Sequence, residues 1–137
     1  MVILDNKILT MKQREQMICH YIKAYNHFDI SAMLADLDPS ISFQNISDGK
    51  VDMSLEGVTA FKEQAEKAAT FFKSRQQKIT SFMHFESYTD VEVAYSAVLA
   101  VDLPNGLRKG DALHCAGKSV FHFGKDKIVA IEDISYC

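Results

Sequence analysis

Residues 92–123 read EVAYSAVLAVDLPNGLRKGDALHCAGKSVFHF. Two runs rich in β-branched and aromatic residues flank Pro104-Asn105-Gly106, the sharpest turn signal in the chain. The pattern predicts two long antiparallel strands, Glu92–Leu103 and Leu107–Phe123. Gln77–Ser87 reads as a strand before them, with a turn at Asp90, and Lys127–Tyr136 as a strand after Gly124-Lys125-Asp126. An antiparallel meander therefore fills the C-terminal half.

The N-terminal half has helical periodicity. Over residues 8–28, Ile8, Met11, Glu15, Ile18, Ile22 and Tyr25 fall near one stripe, while Lys12, Arg14 and Lys23 are expected in solvent. Thr10 can cap a shorter version, with Gln13 in capping-box position. Asp29 caps a short second helix, Ile30–Leu37, which Asp38-Pro39 is expected to close, because a residue before proline avoids the helical region. Ile41–Ile46 alternates like a strand, Ser47-Asp48-Gly49 turns, and Lys50–Leu55 returns. Gly57 precedes a third helix, Val58–Lys73, and the cations from Lys62 to Arg75 read as a solvated helix face. Helices first and meander last predict an α+β fold with the helices on one face of a mostly antiparallel sheet.

Composition agrees with one domain spanning residues 1–137. Hydrophobic residues make up 47%, and the net charge of −3 has the wrong sign for a nucleic-acid footprint. Cys19, Cys115 and Cys137 form no paired motif, so neither a disulfide framework nor a zinc knuckle is expected. Cys19 and Cys115 sit in apolar patterns and read as small hydrophobes; Cys137 reads as an exposed thiol. No signal peptide or membrane-spanning run is apparent, which predicts a cytoplasmic protein. The five histidines show no metal-ligand spacing, and there is no phosphate loop or nucleophile elbow, so no metal or cofactor is expected.

The order of elements resembles the nuclear transport factor 2-like superfamily, with its ketosteroid isomerases and SnoaL-type polyketide cyclases. The segments carrying the resemblance are Tyr21–Asn26 running into Asp29–Leu34, Ile41–Asn45, Glu56–Phe61 and Lys127–Asp133. It implies a cone-shaped, cystatin-like fold, three helices on the concave face of a curved sheet, and a pocket at the open end. It also implies a homodimer through the outer sheet face, where Val98 and Val120 stand opposite the pocket. In ketosteroid isomerases a tyrosine eight residues before the aspartate that opens the second helix donates to the substrate oxyanion; Tyr21 matches it. The isomerase base position carries Asn45, and the position of its protonated aspartate falls near Ser119. Asparagine accepts no proton at neutral pH, so that mechanism is not expected here.

Strand alternation gives the cavity its expected lining. Phe43 shares a face with Asn45, Phe121 with Ser119, and Ile131 with Asp133. With Tyr21, Tyr25 and Phe61 from the helices, this describes an apolar pocket for a small apolar molecule, carrying a few convergent polar groups. Each phenylalanine also fits a plain core, and Asn45 a structural hydrogen bond. Asp133 lies in an apolar strand. Facing inward it would be desolvated, with a raised pKa suited to proton transfer beside Tyr21; facing outward beside Glu132 it would be ordinary. A proton-transfer enzyme, a ligand-binding domain and an interaction module all fit this pattern.

Overall fold

The computed structural model describes residues 8–136. The first helix, α1, runs Met11–Asn26 and starts at Thr10 with the reciprocal capping box expected of Thr10 and Gln13. Its buried side is Arg14, Ile18, Tyr21, Ile22 and Ala24, so Ile18 and Ile22 face the core as expected, while Arg14 is buried where solvent was expected. Ile8 and Met11 are exposed, as is Cys19, a free thiol rather than a buried hydrophobe. Cys137 lies outside the described residues.

After α1 comes one helical turn, α2 (Ile30–Met33), capped by the Asp29 side chain. It ends well before Asp38-Pro39, which belongs instead to strand β1 (Leu37–Ser47). Pro39 is tolerated because the pairing of β1 is irregular between Leu37 and Ser42, where no ladder N–H is required. Asp48 (φ 52°) and Gly49 (φ 75°) form the tight turn into β2 (Lys50–Glu56), as their sequence predicts. Gly57, at φ 91°, donates its N–H to the Ile41 carbonyl at 2.7 Å and starts α3 (Val58–Ala69).

The helix stops four residues earlier than expected, and β3 (Phe72–His84) begins where helix was anticipated. The next strand, β4 (Tyr88–Leu99), also starts early, so Asp90 is a strand residue and the turn falls at 85–87. Arg14 explains that turn. Its guanidinium donates to the carbonyls of Phe85 (2.6 Å), Glu86 (2.5 Å) and Tyr88 (3.2 Å), and it is 5% exposed rather than solvated.

Strand β5 (Ala112–Phe123) pairs antiparallel with β4, ending at Val98 and Ala112. Pro104-Asn105-Gly106 is the tip of a longer loop, not a tight hairpin. Asp102 and Asp111 side chains accept from the N–H groups of Lys109 (2.8 Å) and Arg108 (2.9 Å), satisfying backbone that would otherwise extend the ladder. The last strand is β6 (Ile128–Ser135).

The six strands form one curved open sheet in the order β2-β1-β6-β5-β4-β3. Every neighbouring pair is antiparallel except β1 with β6, which is parallel. The core lies between helices and concave face. Ile18, Ile41, Phe121, Ile128 and Ile131 are each at most 1% exposed, and burying a side chain of this kind contributes roughly 1.5–3 kcal/mol. This is the α+β cone expected from the order of elements. No helix among the described residues is long and apolar enough to cross a membrane.

Candidate functional site

The register across the sheet assembles the site. Met53 on β2, Asn45 on β1, Asp133 on β6, Ser119 on β5 and Val91 on β4 stand opposite one another in a single lateral row. Ile131 and Phe121 occupy the adjacent inward row with Phe43. The expected alternation therefore brings Asn45, Ser119 and Asp133 together on the concave face.

Helix α1 crosses this face and is fastened at both ends. Near its start Glu15 meets His84 at 2.7 Å. At its end Asn26 clamps the Gln77 backbone, donating to its carbonyl at 3.1 Å and accepting from its N–H at 2.8 Å. Tyr21 and Tyr25 are thus held over the sheet. The Tyr21 ring rests edge-on against Phe121, 5.6 Å between centroids, and lies 6.4 Å from Phe61.

Between α1, α3 and the sheet is a cavity of about 230 Å³, lined by Tyr21, Phe43, Asn45, Phe61, Arg75 and Asp133, among others. A second cavity of about 220 Å³ runs along the sheet past Tyr95, Gly117 and Ser119. The two cavities adjoin at Tyr25, Asn45 and Asp133, which line both. Each is somewhat smaller than the ~300–1,000 Å³ usual for small-molecule pockets, which fits a compact ligand. Of the expected site residues only Phe121 stays out of the wall; it is 1% exposed and supports the Tyr21 ring from within the core.

Asp133 is enclosed by this wall, and burial pushes its carboxyl from an ordinary 3.8 up to about 6. Ser119 works the other way: its hydroxyl donates to Asp133 Oδ1 at 2.7 Å and favours the carboxylate. No cation sits within ion-pair distance of Asp133 among the described residues. Burial, then the Asp133 charge, push the Tyr21 phenol well above its usual range, so it stays a protonated donor. Its hydroxyl has no hydrogen-bond partner among the described residues and faces the cavity. Tyr25 and Tyr95 are also raised by burial, and the Tyr25 hydroxyl donates to that of Tyr95 at 3.2 Å.

Arg75 is a further wall residue, contrary to its expected place in solvent. It lies not on a solvated helix face but on β3, opposite Ala97, 5% exposed and in the cavity wall. The signal was its even spacing from Gln77 on an inward strand face, hidden by the helical pattern preceding it. Tyr95, Met53 and Leu55 are further wall residues that the sequence leaves unassigned. No group of three His, Cys, Asp or Glu side chains suited to a metal gathers among the described residues.

No protein-family model and no curated protein matches this sequence. Solved structures do match in fold. A provisionally assigned polyketide cyclase from Xanthomonas campestris pv. campestris superposes with a TM-score of 0.76 at 19% identity, covering 92% of this chain and 91% of that one. A provisionally assigned SnoaL-like polyketide cyclase from Jannaschia gives 0.75 at 7% identity, covering 90% and 85%. An uncharacterised cystatin-fold protein from Novosphingobium aromaticivorans gives 0.64 at 16% identity, covering 87% and 95%.

Proposed function

The chain has the nuclear transport factor 2-like, SnoaL-like fold, and from that premise we propose that it is a pocket protein which moves a proton on an apolar, carbonyl-bearing small molecule. The observation that carries this reading is one carboxyl in an aromatic cavity, raised to about 6, with a phenol beside it that has no partner of its own. A base near neutrality in a water-poor site is suited to removing a proton next to a carbonyl.

In the proposed step the Asp133 carboxylate takes the proton from the carbon beside the carbonyl. The C–H electron pair becomes the enolate double bond, and charge moves to the carbonyl oxygen. Tyr21 donates its O–H hydrogen bond to that oxygen as the charge develops. Asp133, now protonated, returns the proton to carbon, so no redox partner is needed. Asn45, adjacent to Asp133 in register, orients the ligand through its amide.

The same cavity without turnover would make a ligand-binding domain, and one experiment separates the two. 2-Tetralone in deuterated buffer is followed by NMR for exchange of its α-protons. The proposal expects acceleration by the native protein. Asp133→Asn should abolish it with affinity retained, and Tyr21→Phe should slow it by about 10²–10³-fold. Binding without exchange in the native protein would overturn proton transfer in favour of binding alone. Self-association through the outer face is part of the same reading, but Val120 is only 7% exposed in the single chain, so that face offers less apolar surface than its sequence suggests. Light scattering at micromolar protein would give twice the chain mass if the dimer forms.

A further inference from the structure

Arg75 is a buried cation with most of its hydrogen-bonding capacity unused. Its Nε donates to the Tyr25 carbonyl at 2.9 Å, and Nη2 is sealed from solvent with no partner. None of the three ion pairs among the described residues involves it. Burying an unpaired guanidinium is costly, and proteins ordinarily supply a counter-charge.

What the fold supplies instead is aromatic. The guanidinium carbon lies 3.7 Å from the Tyr25 ring centroid and 4.5 Å from that of Phe28. Phe28 holds a left-handed backbone (φ 58°), a strained conformation for a bulky residue. Ring faces orient a guanidinium while leaving its N–H edges free to donate. Close by, the Tyr95 hydroxyl accepts from Tyr25, which leaves its own proton available. The Arg75 charge acts on the phenols of Tyr21, Tyr25 and Tyr95, as their proximity requires, whereas it does not pair with Asp133.

The geometry points to Arg75, with the Tyr95 hydroxyl, as the subsite for an anionic oxygen of the ligand. The ligand class is therefore an apolar ring body carrying a carboxylate or comparably acidic oxygen, bound at Arg75 with its reacting carbonyl toward Tyr21 and Asp133. This rests on the pocket reading above and narrows its substrate class. With Nε given to the Tyr25 carbonyl and Nη2 closed off, the ligand oxygen takes a charge-assisted hydrogen bond from Nη1, the guanidinium nitrogen left to line the cavity.

A matched pair of probes tests it by calorimetry: 2-naphthoate and its neutral counterpart 2-naphthamide. Native protein should bind the naphthoate about tenfold more tightly. Arg75→Met should erase the preference while still binding the naphthamide, which also shows that the variant is folded. Arg75→Lys, which keeps the charge but loses the planar guanidinium held between the Tyr25 and Phe28 rings, should retain part of it. Equal binding of both probes to native protein, or a preference that survives in Arg75→Met, would overturn the subsite and leave the pocket standing. Binding of neither probe would overturn the pocket reading and the subsite with it.

Discussion

Asp133→Asn isolates what it costs to hold a charge on the cavity wall. The carboxyl has a folded pKa of about 6 against an ordinary 3.8. The folded state therefore holds this proton more tightly than the unfolded state does. Between those two values the folded chain carries the extra proton, and stability falls as pH rises. The stability is fully present below the unfolded value and is lost as pH passes through about 6. The difference of about two units corresponds to roughly 3 kcal/mol at pH 8, and to under ~1 kcal/mol at pH 4. Asp133 keeps part of its surface open to the cavity, which makes the larger figure an upper bound. Asparagine retains an acceptor for the Ser119 hydroxyl and carries no charge. Urea unfolding followed by circular dichroism should show the variant more stable than native protein at pH 8 and nearly equal at pH 4, with unchanged m. A variant less stable at pH 8, or one whose difference ignores pH, would mean that Asp133 is not held protonated by burial.

Ser119→Ala removes the hydrogen bond that favours the carboxylate, so the Asp133 pKa should move above about 6; a carboxyl that titrates where it did before would count against that bond. Asn26→Ala unfastens the end of α1 from Gln77, losing two hydrogen bonds, and should cost about 1–3 kcal/mol in urea unfolding. Thr10→Ala opens the capping box and should cost ~1 kcal/mol, read from thermal melts, with cavity binding unaffected.

Side-chain alternation explains why much of the site was legible. A strand has a period of two, so placing Asn45 inward also places Phe43 inward, and the same rule orders Ser119 with Phe121 and Asp133 with Ile131. Thr10 with Gln13, and Asp48 with Gly49, were legible because each is a local device whose chemistry lies within three residues. Arg14 and Arg75 were not legible. A cation in a helical stripe ordinarily faces water, and what buries Arg14 is a set of backbone carbonyls more than seventy residues away. Arg75 depended on where α3 ends, and Phe72 continues the helical pattern although it already pairs with Leu99. The two long strands do pair antiparallel as expected, but their ladder stops short of Pro104-Asn105-Gly106, because side chains of Asp102 and Asp111 capture backbone N–H groups that a longer ladder would have used.

Proton transfer by this pocket requires a carboxyl inside the cavity that exchanges its proton near neutrality. Carbon-13 NMR of aspartate-labelled protein, with Asp133→Asn used to assign the signal, measures that directly. The Asp133 carboxyl should titrate with a midpoint of about 6. A midpoint at the ordinary 3.8 would mean that the group is solvated, and would contradict its role as the base of this site.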